Sequence, residues 1–518
     1  MKIFRGILII GLFLFFACSS AARAATYYID YAGGSDSNNG ISRHSAWKHH
    51  PYMVGWSGSY RHRAGDKFIF KGGVVWKYSS SDHIFPWTIK AGGAHGNPDR
   101  YTVDKTWHNG PSWTPPVFDG GQQTEGGHQT LGANSWLIGD GQNPVSNIVI
   151  DGLRFQNIGN PARHEGSGTA IYFLGSGSSI EIENCVIIPH SMQAFAYANY
   201  AHRKNARAIY IHDNRISYSG RGVIYGYTGY TVDDVKVYNN KWQGPGLKLA
   251  EDFYTGPSKY HNDGLMTGCP AGCSGKRPAV TNILFNNNLF YGAWEYCTGQ
   301  YYSNGYTSNT SIYNNVFSIE NNSSNGTPMQ NFIEFYKNDW GTINIYNNTF
   351  SSDSLIGYGT GVNEGFHFVY PSNAAHPLTI NIENNIFSGL PIGIVIGSGA
   401  WNAMNIDHNL YNITTLGRYG YVDYIAPKNY SSISAACGGG YDCNSLMSGS
   451  YSSSYPGFIS KPAGRAGIGN WQLQSGSPAI GAGVNLSSVF NTDITGATRP
   501  SAGAWTIGAY EGKRTGKK

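Results

Sequence analysis

One short pattern recurs through the middle of this 518-residue chain and limits what it can fold into. It reads apolar, any residue, apolar, any residue, Asn or Asp, Asn, any residue, and finally Phe or Ile. Examples are Ile211-His212-Asp213-Asn214-Arg215-Ile216, Ile312-Tyr313-Asn314-Asn315-Val316-Phe317 and Ile382-Glu383-Asn384-Asn385-Ile386-Phe387. Taking the in-phase Asn as the mark places copies at 184, 214, 240, 288, 315, 348, 385 and 409, with steps of 30, 26, 48, 27, 33, 37 and 24 residues. An earlier copy, Ile150-Asp151-Gly152-Leu153-Arg154-Phe155, has Gly in place of Asn. A constant core with variable insertions at this period implies a solenoid. The apolar residues alternate with period two, so the repeating unit is a strand and the helical repeats are excluded.

Asn at a fixed phase has a physical reason. It tolerates left-handed backbone angles and bonds neighbouring backbone, and stacked Asn amides can form a ladder. A second alternating strand precedes most copies, at 170–173, 194–197, 222–225, 264–267, 333–335, 366–368 and 393–396. Alternation buries 171, 195, 223, 265, 333, 366 and 394, and turns Tyr172, Ile224, Met266, Glu334, His367 and Val395 outward. A propeller needs longer, four-stranded units. The fold class is therefore all-β, a single-stranded right-handed parallel β-helix with an Asn ladder and capping segments at both ends. Composition agrees: 69 Gly, 37 Tyr and only 13% charged residues suit a turn-rich β protein.

The chain divides into residues 1–25, 26–146, 147–415 and 416–518. The first has Lys2 and Arg5, an apolar run from Ile7 to Phe16 and an Ala22-Arg23-Ala24 end, the pattern of a secretory signal. A spanning helix needs about 20 apolar residues, twice what this run offers. Cys18 leaves a lipid-anchored variant open. The second segment contains Tyr27-Tyr28-Ile29-Asp30, Gly34-Ser35-Asp36-Ser37-Asn38-Asn39-Gly40, Trp47-Lys48 and Gly65-Asp66-Lys67-Phe68-Ile69-Phe70-Lys71-Gly72-Gly73, with irregular Gly-, Pro- and Trp-rich loops over 77–146. In that order these elements resemble the opening of secreted bacterial right-handed parallel β-helix proteins of the pectate-lyase-like superfamily. Trp471 to Gly481 and Ile507 to Glu511 resemble the segment that closes the same proteins, which implies a cover for the open end of the sheets.

Beyond Cys18 there are six cysteines, an even number that suits disulfides in an exported protein. Cys269 with Cys273 and Cys437 with Cys443 are close enough to form small loops, leaving Cys185 and Cys297 paired or free. The net charge of +5 sits mostly in the final Lys and Arg residues. No basic stripe interleaved with aromatics argues for nucleic acid, whereas a mildly cationic surface is compatible with an acidic polymer.

The 48-residue step is the longest interruption and contains Tyr260-His261-Asn262-Asp263-Gly264. Strands of neighbouring coils lie about 4.8 Å apart, so residues at one phase form a row that matches an extended polymer. On that row Arg221 precedes Asp263, and Glu295, Glu334 and His367 follow. His261, Asp263, Arg221 and Glu334 are the catalytic candidates, as acids, bases and a cation. Glu295, His367, Tyr225, Tyr260, Trp294 and Lys248 are candidate substrate contacts, and Glu251 and Asp252 offer hard oxygen ligands for calcium. His212 and His408 lie at the Asn bend and read as structural. Asn262-Asp263-Gly264 looks like part of the Asn-Thr-Asp-Gly of polygalacturonase-type hydrolases, which implies a catalytic role for Asp263; that family's Asp-Asp, Gly-His-Gly and Arg-x-Lys elements have no clear counterparts. The step could also hide a degenerate coil within 244–262. The expected function is cleavage of an extracellular, preferably acidic, polysaccharide by lyase or hydrolase chemistry, carried out by a monomer. The rival is a non-catalytic glycan-binding surface protein.

Overall fold

The computed structural model describes residues 23–513 outside the segments 79–86, 122–133, 141–142, 159–167, 175–176, 190, 199–203, 218, 228, 245–262, 270–277, 293, 295–298, 320–330, 338, 353–363, 371–377, 391, 397–400, 414–431, 449–450 and 462–467. Three long sheets of 12, 10 and 12 strands carry the chain. The first runs from Thr26–Ile29 to Trp401–Asp407, the second from Trp87–Ile89 to Ile392–Ile396, and the third from Val75–Lys77 to Leu446–Met447. The chain visits them in a fixed order. Val280–Asn286 lies in the first sheet, Leu289–Tyr291 in the third, Gly299–Ser303 in the second, and Thr307–Tyr313 in the first again. Each strand pairs in parallel with its counterpart one coil later. This is the right-handed parallel β-helix that the repeat implies.

Two neighbouring residues share the work at the bend between the first and third sheets. Asp213, Asn239, Asn287, Asn314, Asn347, Asn384 and His408 take φ between 50° and 60°, the left-handed angles that Asn and Asp accept at least cost. The next residue turns inward and forms the ladder. Asn214, Asn240, Asn288, Asn315, Asn348, Asn385 and Asn409 each stack on the one before. In the first copy the marked residue, Asn184, has φ 54° and belongs to the bend. Cys185 takes the ladder phase there, its backbone N–H donating to Asn214 Oδ1 at 2.9 Å. Two residues past each ladder Asn from Asn240 onward an aromatic ring points inward; after Asn214 that place is held by Ile216. Trp242, Phe290, Phe317, Phe350, Phe387 and Tyr411 stack at centroid spacings of 5.0–5.4 Å.

The 48-residue step hides no coil. Asn240 bonds Asn288 directly, and Val232–Tyr238 pairs with Val280–Asn286. Within 77–146, which read as loops, the strands Trp87–Ile89, Asp99–His108, Val117–Asp119 and Asn134–Ile138 join the three sheets of the solenoid. Their pattern is obscured because Trp76, Trp87, Tyr101, Phe118 and Trp136 fill the interior where later coils use Ile and Val.

The C-terminal segment does not cover the open end. That end is closed by the short helix Ile433–Gly438, whose Ala436 is buried in the core, and by Asp442, which accepts hydrogen bonds from Asn409 Nδ2 and the Tyr411 hydroxyl. The chain from Ala479 to Glu511 instead runs along the flank. Left-handed backbone turns the amides of Asn314, Asn347 and Asn384 away from the core, where they donate to the carbonyls of Thr492, Thr506 and Val484. Arg499, 1% exposed, fixes this strap by donating to Asn314 Oδ1, Gly508 O and Ala509 O and pairing with Glu511 at 3.0 Å. Lysine cannot reproduce that fork of bonds. Arg499→Lys is expected to lower stability by about 2 kcal/mol in urea unfolding, from lost bonds to buried acceptors; a wild-type midpoint would mean that the strap contributes little.

Cys437 and Cys443 form a disulfide, Cys269 is disulfide-bonded, and Cys185 is a buried free thiol. No helix among the described residues is long and apolar enough to cross a membrane.

Candidate functional site

The outer face of the second sheet gathers most of the described candidates. Its inward row is Ile171, Phe195, Gly222, Leu265, Tyr301, Ile333 and Ile394, and its outward row is Tyr172, Ala196, Val223, Met266, Tyr302, Glu334 and Val395; Phe366 and His367 hold the register positions between the last two residues of the respective rows. Two positions of the expected alternation change. Val223 faces outward and Ile224 packs in the core, because the register shifts at a bulge between Gln193 and Phe195. Gly222 takes the inward place, and a Cβ on it would lie 2.3 Å from Phe195 Cζ. An inward position held by glycine leaves no apolar signal. The sequence reading also lacks the strand Gly299–Ser303, which puts Tyr302 between Met266 and Glu334.

Asp263 stands at the mouth of Leu265–Gly268 and is fully buried, with Oδ1 accepting the backbone N–H of Gly299 at 3.3 Å. Gly264 makes the close approach of the next coil possible. A Cβ there would sit 2.3 Å from Gln300 O and 2.5 Å from Phe290 Cε1.

Glu334 lies two strands away, 5% exposed, with Oε2 accepting from Asn331 Nδ2 at 2.7 Å. Burial pushes its carboxyl up to about 8, against the Asn331 hydrogen bond, which lowers it, and with a further rise from the charge of Asp263. Tyr302 is driven well above an ordinary phenol, first by burial and then by the charges of Glu334 and Asp263. Tyr225 is pushed up to about 12 by burial, with Arg221 lowering and Asp263 raising it. The Tyr225 hydroxyl rests on the Met266 sulfur, and Arg221 Nη1 approaches the same sulfur at 3.7 Å. These interactions bring Arg221, Tyr225, Asp263, Tyr302 and Glu334 into one patch. Ala196, Val223 and Met266 form its apolar floor, with Tyr172 and Tyr336 packed at its edges.

Trp294 does not join this patch. It is 2% exposed in the core, donating to Tyr291 O at 3.2 Å and packing on Phe290, so it has no face for a ligand. His367 occupies the register position after Glu334. Tyr260, His261, Lys248, Glu251, Asp252 and Glu295, like residues 1–22 of the leader, lie outside the described residues. Tyr302 and Asn331 were missed as site residues; the adjacent Tyr301-Tyr302 pair, one ring inward and one outward, was the available cue.

The environment of Glu334 gives stability a pH dependence. An acid at about 8 in the folded chain and 4.5 in the unfolded one binds its proton more tightly when folded between those values. Its contribution is complete below the lower value and is lost as pH rises toward the upper one. Asp339, bonded to Thr307 and Ser303 and pushed up by burial to about 7, acts with the same sign. The Tm is expected to fall between pH 4.5 and about 8, and less steeply in Glu334→Gln. Parallel melting profiles would contradict this.

No protein-family model matches the chain, and none of the curated proteins compared with it does. Among solved structures, a pectate lyase is similar over 95% of this chain and 98% of its own, at 12% identity and a TM-score of 0.39. A lacto-N-biosidase from Eubacterium ramulus is similar over 77% of this chain and 67% of its own, at 13% identity and a TM-score of 0.40. A rhamnogalacturonan lyase aligns over 76% of this chain and 75% of its own, at 11% identity and a TM-score of 0.25. At such identities and scores the fold assignment stands on the chain's own strand register.

Proposed function

We propose that this protein hydrolyses glycosidic bonds of an acidic polysaccharide lying along the outer face of the second sheet, with Glu334 as general acid and Asp263 as the second carboxylate. The observation that carries the reading is the nearly full burial of the Glu334 carboxyl in the patch that also holds Asp263, which pushes it up to about 8. Such a group keeps its proton at neutral pH and can deliver it to a leaving-group oxygen. Asp263 sits at the register level of Gly299 and Asn331, three residues before Glu334 along the strands, and its charge reaches the Glu334 carboxyl; an inverting pair needs about 6.5–9.5 Å between its carboxyls to admit a water. Arg221 supplies a cation for a uronate carboxylate. Tyr225 and Tyr302, both mostly buried in the floor of the patch, offer ring edges to a sugar. His261 completes the reading as a further acid or base, Tyr260, Lys248, Glu295 and His367 as residues that contact the substrate, and Glu251 and Asp252 as calcium ligands. Export through the 1–25 leader would bring the protein to an extracellular polymer.

The test offers the purified protein a panel of acidic and neutral polysaccharides and follows reducing ends and unsaturated-product absorbance separately. New reducing ends without absorbance are expected, with activity declining as pH passes about 8, where the acid loses its proton. Absorbance would replace the hydrolase by a lyase. Tight binding with neither signal would make the protein a glycan binder.

A further inference from the structure

A second cluster lies on a different face, with no part in the proposed glycan site. The strand Ile180–Glu183 alternates Ile-Glu-Ile-Glu, so Glu181 and Glu183 share its outer side. On the next coil His212 is in register with Glu183, and its Nε2 lies 3.0 Å from Glu181 Oε1. One ligand atom from each of Glu181, Glu183 and His212 falls within 4.8 Å of the others. The ring is already fixed. His212 is 6% exposed, stacks on Tyr238 at 4.5 Å and 8°, and has Nδ1 2.8 Å from Asp213 Oδ2. Metal-bound histidines characteristically give their other ring N–H to a carboxylate in this way. Asp151 flanks Glu183 on the preceding coil, where it accepts from Thr102 and Asn184, and the half-exposed Arg100 is 3.7 Å from Glu183.

The position also has a mechanical meaning. The Asn ladder stops here: Cys185 takes the phase of an Asn, and its side chain cannot continue the amide chain that runs from Asn214 onward. The coils carrying Glu181 and His212 therefore meet where that tie ends.

We propose that Glu181, Glu183 and His212 bind one divalent transition-metal ion, of which zinc is the representative, as a clasp between these two coils. Imidazole and carboxylate are the ligand types such an ion takes, at about 2.0–2.2 Å, and side-chain shifts on the order of 1 Å close the set around it. The ion replaces the proton on Nε2, which leaves to solvent, while Nδ1–H stays bonded to Asp213.

The test uses untagged, chelator-treated protein titrated with zinc chloride by calorimetry, with calcium chloride as control and thermal melts alongside. One zinc per chain and a raised Tm are expected, with calcium far weaker. Glu183→Gln, at a partly exposed position, and His212→Gln should lose the binding, and Asp213→Asn, which only positions the ring, should weaken it by about 10–100-fold. Metal-free melts verify that each variant folds; if His212→Gln does not, Glu183→Gln carries the test. No zinc-dependent heat in the wild type, or equal affinity in the Glu183→Gln variant, would overturn the proposal.

Discussion

Replacing Glu334 by Gln is expected to slow polysaccharide cleavage by about 10²–10⁴-fold, the usual worth of a positioned general acid, while leaving the fold and substrate binding in place. Glutamine nearly matches the volume of the protonated carboxyl and retains an oxygen for Asn331 Nδ2. It cannot release a proton to a departing sugar. The loss should therefore fall on kcat, with KM little changed. Asp263→Asn tests the other half of the pair and should also reduce kcat, although it alters the acceptor of the Gly299 N–H. Activity surviving intact in Glu334→Gln, measured on whichever polysaccharide the wild type cleaves, would remove Glu334 from the chemistry.

The second large effect concerns the ladder. Asn348 is fully buried; its Nδ2 donates to Ile312 O at 2.9 Å and to Asn385 Oδ1 at 3.0 Å, and its Oδ1 accepts from the backbone N and Nδ2 of Asn315, both at 3.0 Å. Truncation to Ala strands Ile312 O and Asn315 N in the interior. Each orphaned buried group costs about 1–3 kcal/mol, so Asn348→Ala should lose roughly 3–5 kcal/mol, read as a lower urea midpoint. Because neighbouring coils stack on one another, the loss should spread to the strands on either side, visible as faster amide exchange. A loss below about 1 kcal/mol would mean that water or relaxation replaces the amide.

What the sequence reveals follows from how local each signal is. The Asn bend and the ring two residues later depend on neighbours within one strand pair, so Asn214 through Asn409 and Trp242 through Tyr411 are visible as a repeat. The one-residue error at Asn184 arises because two adjacent positions favour Asn for different reasons, backbone angle and amide stacking. Features set by other coils are not legible. The inward place of Gly222 is decided by Phe195 from the coil before, and the strap at Arg499 by amides more than a hundred residues upstream. The same holds at the candidate site. Alternation in Ile333-Glu334-Phe335 turns Glu334 outward, but its burial comes from partners including Tyr302, whose strand shows no clear alternation.

The most direct test of the account needs no substrate. Infrared difference spectra of wild type minus Glu334→Gln, taken across a pH series, isolate the carbonyl stretch of this one protonated carboxyl. A band that persists at neutral pH and disappears with a midpoint near 8 is the predicted result. Disappearance near 4.5, the ordinary value for a Glu, would show an ionised Glu334 at neutral pH and would contradict the proposed general acid.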